Sequence, residues 1–157
     1  MIRGKGSAPE ALLRFLHPYP PFIRHLALET RGLVLRQVMP THENIYDAYN
    51  AVTIGFGTSD RLKDGICHVA VYAKHVNLGL NHGADLPDPE GVLEGQGARV
   101  RHVTVRTLDD LASPALCGVL EAACAHAGHV PRARRPPLVS TVKSIYPNRK
   151  RPARAAG

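Results

Sequence analysis

The sequence has no tryptophan, and aromatic residues make up only 5% of its 157 positions. A core without many aromatic rings has to be built mainly from Leu, Val, Ile and Ala, which is ordinary for a compact domain. Apolar residues account for 44% of the chain, enough for one such core, and the length is short for two domains of usual size. The absence of an internal repeat argues against a fibre or a repeat array.

Cysteine and long hydrophobic runs are also scarce. The three cysteines, Cys67, Cys117 and Cys124, form no CxxC pair, and their odd number argues against the disulfide framework of small secreted proteins. The apolar pieces of residues 1–16 are interrupted by proline and by charged residues, so we predict neither a signal peptide nor a membrane span. We therefore expect a cytoplasmic protein with no membrane partner.

Acidic residues are absent from residues 131–157, which explains most of the formal net charge of +7. Residues 1–130 hold 12 basic and 13 acidic residues and are nearly neutral. The acid-free tail is rich in proline, so we predict disorder, with no more than transient docking of residues 139–146, and, as one hypothesis, binding of an acidic partner or nucleic acid. The alternative is a solvated tail that only keeps the protein soluble. The basic residues that would make such contacts are Arg132, Arg134, Arg135, Lys143, Arg149, Lys150 and Arg151.

Capping signals predict three helices. Ser7 precedes the first helix, Pro21 opens the second, and Ser113 starts a third that ends at Gly128. In the second helix, the spacing of the apolar residues places Arg31 on the outward face.

Alternation of apolar and polar residues predicts strands in the middle of the chain, at 44–50, 51–57, 65–72, 75–80 and 99–106. Their close spacing implies antiparallel neighbours. The predicted fold is therefore α+β, with an antiparallel sheet of about five strands and N- and C-terminal helices packed on it. We divide the chain into a flexible N-terminus at 1–7, this domain at 8–130, and the basic tail at 131–157.

An ordered motif lies in the second half of the predicted sheet. Residues 74–80 read KHVNLGL, residues 83–97 read GADLPDPEGVLEGQG, and residues 101–102 read RH. This pattern resembles the signature of the YdhG-like family of bacterial domains of unknown function, over roughly residues 8–128. The resemblance implies an arrangement similar to frataxin. It also implies iron as the cofactor to consider, because one member has been proposed as an iron chaperone.

The loop at 81–98 is long, polar and rich in glycine, and loops of this kind in compact domains are often functional. We expect this loop and the strand ends beside it to bind an unidentified small ligand or anion. The residues predicted to form this site are Lys74, His75, Asn77, Gly79, Asp85, Asp88, Glu94, Gly95, Gly97, Arg101 and His102.

A metal site and a phosphate-binding loop are two other interpretations of the same region. Imidazole and carboxylate groups suit iron or zinc, and the metal candidates are His75, His82, Asp85 and His102. The alternative is a loop in which Asp85 and Asp88 bond their own backbone. The glycines do not predict a phosphate loop, because a strand rather than a helix follows them.

Catalysis is the least favoured class, and no catalytic residue is predicted. The cysteines fall on apolar faces and are expected to fill the core. No nucleophile, acid pair or cofactor motif completes a catalytic set. The leading hypothesis is a non-enzymatic ligand-binding domain. The alternatives are a frataxin-like iron-binding chaperone and a nucleic-acid accessory protein that acts through its tail.

Overall fold

The computed structural model describes residues 7–131 and 137–145 of the chain. The helices within these residues are α1 (Glu10–Leu16), α2 (Pro21–Gln37) and α3 (Pro114–His126). Proline occupies the first turn of α2 and α3, where a missing backbone N–H costs nothing. Ser113 caps α3 by accepting a hydrogen bond from the Leu116 amide, and Gly128 with a φ of 67° follows its end. The three predicted helices are confirmed.

Six strands form one sheet in the order β5-β4-β3-β2-β1-β6. The strands are β1 (His42–Asp47), β2 (Val52–Gly57), β3 (Gly65–Val71), β4 (Val76–Leu80), β5 (Arg101–Val105) and β6 (Val139–Ile145). Strands β1 to β5 pair with one another in antiparallel fashion, whereas β6 is parallel to β1. The α+β class is therefore confirmed, but the sheet is mixed and has six strands instead of about five.

Strand β6 lies within the tail at 131–157, in the segment for which no more than transient docking was predicted. Its backbone runs along β1, and the Val139 amide donates to the Thr41 carbonyl at 2.9 Å. Its side chains are mostly exposed, so backbone pairing makes the main contribution to its docking. The rest of the tail, at 132–136 and 146–157, lies outside the described residues. The predicted domain boundary at 130 separates β6 from the sheet to which it belongs.

The helices pack on one face of the sheet and form a single core with it. Alternate strand residues such as Ile54, Val69 and Leu78 are fully buried there. Leu26 of α2 and Leu120 of α3 cover them from the helix side. The opposite face of the sheet, which we call the open face, has no α-helix on it in the described part of the chain.

The cysteines belong to the core side, as predicted. Cys67 and Cys124 are buried, and Cys117 is half-buried. Burial raises the pKa of the Cys67 thiol far above its ordinary value, and Cys124 adds to this rise. Burial also raises the pKa of Cys124, with a smaller contribution from Glu121. Neither thiol is therefore disposed to ionise and act as a nucleophile.

Arg31 does not face outward as predicted. Its guanidinium lies under the sheet, where Nε pairs with Oε2 of Glu43 and Nη2 donates to Oε1 at 3.0 Å. Arg31 and Glu43 are only 3% and 0% exposed. Ser140 of β6 donates to the same Glu43 Oε1 at 2.7 Å, so the buried ion pair also anchors the C-terminal strand.

A search of the described residues for a helix of the length and apolarity needed to cross a bilayer finds none.

Candidate functional site

Two rows of polar and small residues cross the open face of the sheet. These residues alternate along each strand with the buried core residues, so their side chains project from the opposite face. The strand register places the members of each row opposite one another. The first, the glycine row, consists of Asn44, Gly55, His68, Gly79 and His102. The second, the threonine row, consists of Tyr46, Thr53, Ala70, Asn77 and Thr104.

The two glycines of the glycine row decide where His68 lies. A Cβ at Gly79 would overlap the His68 ring, so the ring occupies the space that the missing side chain leaves on β4. His68 Nδ1 is 3.0 Å from Oδ1 of Asn81, which fixes the ring orientation. On the other side, a Cβ at Gly55 would make only ordinary contacts, 3.8 Å or more from its neighbours. The surface above Gly55 is therefore the open part of the row.

A cavity of about 500 Å³ lies above Gly55, and we call it the open-face pocket. Its floor is formed by the first three strands and includes Asn44, Tyr46 and His68. Its walls come from two loops, one before β3 and one before β5. The wall residues of the two loops are Arg61, Leu62, Lys63, Asn81, His82, Arg99 and Val100. A pocket of this size suits a small molecule.

The open-face pocket is lined by positive charge. Arg61, Lys63 and Arg99 border it, and no carboxylate is among the described residues that line it. Arg61 is partly offset by Asp64, whose Oδ2 lies 3.9 Å from its Nε, although the Arg61 side chain is 65% exposed and so gains little from that pair. The net positive charge around the pocket favours binding of an anion.

Asn44 on the pocket floor has unused hydrogen-bonding capacity. The residue is 6% exposed, and its Nδ2 donates to the Ser59 carbonyl at 3.4 Å. Since a carbonyl can only accept, this contact fixes the amide orientation and leaves Oδ1 buried with no partner among the described residues. An unsatisfied buried acceptor costs about 1–3 kcal/mol.

His68 is held neutral. Burial lowers its pKa, the hydrogen bond with Asn81 opposes this, and the nearby His102 lowers the pKa further. At neutral pH the ring is thus a polar, flat surface at the pocket edge rather than a fourth cation.

Several of the residues predicted from the sequence do lie together, beside the pocket rather than in it. Asn77, Gly79 and His102 share the open face of β4 and β5, and His75 directly precedes β4. Glu94 joins them, because its backbone bridges to His102 and its Oε1 lies 3.6 Å from His102 Nε2. Burial, Arg106 and His102 lower the pKa of His75, and Glu94 opposes them. His75 and His102 therefore both lie near Glu94, at the β5 edge of the sheet.

The other predicted residues are engaged elsewhere. Asp85 lies 3.8 Å from His126 of α3, on the helix side. Asp88 accepts from the amides of Val92 and Leu93 at 2.8 and 3.0 Å, as in the loop alternative.

Arg101 donates to the carbonyls of Gly97 and Val100 and so braces the loop from within. Gly95 has a φ of 121° and serves the loop backbone, and Lys74 is exposed in the turn between β3 and β4. These residues do not share one pocket with the imidazoles.

The metal candidates do not assemble into a donor set. His82 stacks on His126 with ring centroids 5.2 Å apart, and His75 stacks on Tyr72 at 5.0 Å. Within residues 7–131 and 137–145, no group of three His, Cys, Asp or Glu side chains is placed to hold a metal ion. The described residues therefore do not fit the iron site that the resemblance implies.

Of the basic tail residues, only Lys143 falls in the part of the chain that the structure describes. Its Nζ lies 3.7 Å from Oδ2 of Asp60, in the loop that walls the open-face pocket. The remaining predicted contacts, Arg132, Arg134, Arg135, Arg149, Lys150 and Arg151, lie outside the described residues.

Of the described residues that line the open-face pocket, only His82 was among the predicted site residues. His68 alternates with the buried Cys67 and Val69, and this polar face of β3 was an available signal for the pocket. No local pattern in the sequence marks Arg61 and Arg99 as neighbours, because only the folded loops bring them together.

A larger cavity of about 680 Å³ lies between the loop at 87–92 and the face of α3 with Ala115, Gly118 and Ala122. Its lining is mostly apolar and small, and the carboxylate of Asp88 within it is already bound to backbone amides. Glu90 and Glu121 also line it, so its charged residues are acidic, whereas those of the open-face pocket are basic, and we take the open-face pocket as the candidate site.

Comparison of the chain with protein-family models, curated proteins and solved structures finds no match. The YdhG-like resemblance therefore stays a prediction.

Proposed function

We propose that this chain is a non-enzymatic binding domain for a small anionic ligand, held in the open-face pocket. The observation that carries the proposal is the convergence of Arg61, Lys63 and Arg99 on a cavity whose described lining contains no carboxylate. Three cations around one small cavity repel one another, and an anion between them relieves that repulsion while gaining charge-assisted hydrogen bonds.

The composition of the pocket supports binding rather than catalysis. Among the described residues that line it there is neither a thiol nor a carboxylate to act as nucleophile or base. The neutral His68 has its Nδ1 committed to Asn81, so it lacks the paired nucleophile of a catalytic dyad. The remaining polar groups are positioned to orient a ligand.

The first test is a titration of the full chain with inorganic phosphate, citrate and AMP, followed by backbone amide chemical shifts. At least one of these anions should shift the amides of the glycine row and of the loop at 60–63. The affinity should fall as salt rises, because the cations are partly exposed. If none of the three anions shifts these amides at low salt, the proposal is wrong.

A charge reversal sharpens the test. Arg99→Glu should weaken the anion that binds by at least tenfold, since one attraction becomes a repulsion across the cavity. Arg14→Glu is the matched control, because Arg14 is exposed on α1 and outside the pocket. Equal affinities of the two variants would contradict the proposed site.

The nucleic-acid alternative stays a separate hypothesis about the tail. It predicts that removal of residues 146–157, which include Arg149, Lys150 and Arg151, weakens salt-sensitive binding of a nucleic acid without changing the anion titration.

A further inference from the structure

We propose that the ligand of the open-face pocket is an anion with a flat, unsaturated ring body. This inference rests on the proposed function and specifies the chemistry of the ligand. In the proposed pose the ring lies over Gly55, and its anionic group faces Arg61, Lys63 and Arg99.

The shape of the pocket floor favours a flat ring. Gly55 offers bare backbone between Asn44 and His68 in the glycine row. Tyr46 stands beside it, since a Cβ on Gly55 would lie 3.9 Å from Cε1 of the Tyr46 ring. Backbone between two flat side chains, an imidazole and a phenol, is a surface on which a ring makes contact across its whole face.

The pocket walls favour a ligand with an apolar body. Leu62 and Val100 are 77% and 44% exposed although they are large and apolar, and both border the pocket beside the cations. An anion without an apolar body, such as phosphate alone, would leave both side chains in water. A ring body between the two loops would cover them and remove apolar surface from solvent.

The size of the pocket fits one ring system. Its volume of about 500 Å³ is enough for that ring and one anionic group.

The experiment compares pairs of probes that share the anionic group and differ in the ring. The phosphate pair is AMP and ribose 5-phosphate, and the carboxylate pair is indole-3-carboxylate and cyclohexanecarboxylate. We expect the flat member of at least one pair to bind the full chain at least tenfold more tightly than its partner. The pair that shows the preference identifies the anionic group.

A methyl group on the floor provides the structural control. Gly55→Ala should reduce the preference for the flat probe at least fivefold, because the new methyl lifts the ring from the floor. The methyl makes only ordinary contacts, so the fold should be retained. Gly118→Ala on α3 is the matched variant, since it adds the same methyl into open space outside this pocket. Should Gly55→Ala not fold, Tyr46→Leu removes the flat wall instead and should have the same effect.

The outcomes separate the two proposals. Equal binding within both pairs, or an unchanged preference in the floor variant, overturns the ring inference while anion binding stands. If no probe of either pair binds and phosphate and citrate also fail, the proposed function itself is wrong.

Discussion

The two faces of the sheet are built from opposite kinds of residue. On the helix side, alternate positions such as Ile54 and Leu78 are fully buried in one apolar core, with the Arg31–Glu43 ion pair at its edge. On the open face, the same strands present Gly55, His68 and Asn77. Since each strand contributes to both faces, stability and binding are assigned to alternate residues of the same segments. Substitutions on the two faces should therefore separate these properties.

The largest expected effect is on the helix side, at the buried ion pair. Arg31→Met leaves the Glu43 carboxylate buried without its cation, and we expect the free energy of unfolding to fall by about 3–5 kcal/mol. Urea denaturation followed by circular dichroism measures this loss. Arg36→Met on the exposed side of the same helix should change stability by less than about 0.5 kcal/mol. A similar, small change in both variants would show that the pair contributes little.

A smaller effect on stability with a large effect on binding is expected on the open face. Gly79→Ala forces the His68 ring out of the space above β4, which should lower stability by about 1–3 kcal/mol. The displaced ring has the Gly55 side available, so the best anionic probe should lose at least tenfold in affinity. Thermal unfolding and a probe titration measure the two effects, with Gly118→Ala as reference. Retained affinity in a folded Gly79→Ala protein would contradict the role of His68 as pocket wall.

The smallest expected effect is a pH dependence that arises from the open face. The pKa of His68 is lowered in the folded protein from its ordinary value of 6.5, mainly by burial. As pH falls through that ordinary value, the unfolded chain takes up a proton that the folded chain refuses, so stability decreases towards acid. Urea midpoints between about pH 7.5 and 5 should show this slope, and His68→Gln should reduce it.

The sequence was sufficient for the elements whose signals are local. Ser113 and Pro114 mark the start of α3, and alternation marks β1 to β5, because capping and strand alternation depend on near neighbours. Strand β6 was missed because its partner β1 lies almost a hundred residues upstream, while proline and charge dominate the surrounding sequence. Arg31 was wrongly predicted to face outward for a related reason. No residue near it in the sequence indicates that Glu43 is buried beside it.

The candidate site was harder to predict than the fold. The predicted residues Asn77 and His102 lie near each other because β4 and β5 are neighbouring strands. The pocket depends instead on the register of strands across the sheet, which sets Asn44 opposite Gly55 and Gly55 opposite His68. Register is a property of paired strands, so no single segment of the sequence reveals it.

The parallel docking of β6 has a practical consequence for anyone who shortens this protein. A chain that stops at residue 130, where the change in composition suggests an end, would leave β1 with an unpaired edge of amides and carbonyls. It would also remove the Ser140 hydroxyl from Glu43 and the Lys143 ammonium from the neighbourhood of Asp60. Such a fragment would tend to self-associate through that bare edge, and its aggregation would reflect the missing strand rather than a defect of the domain.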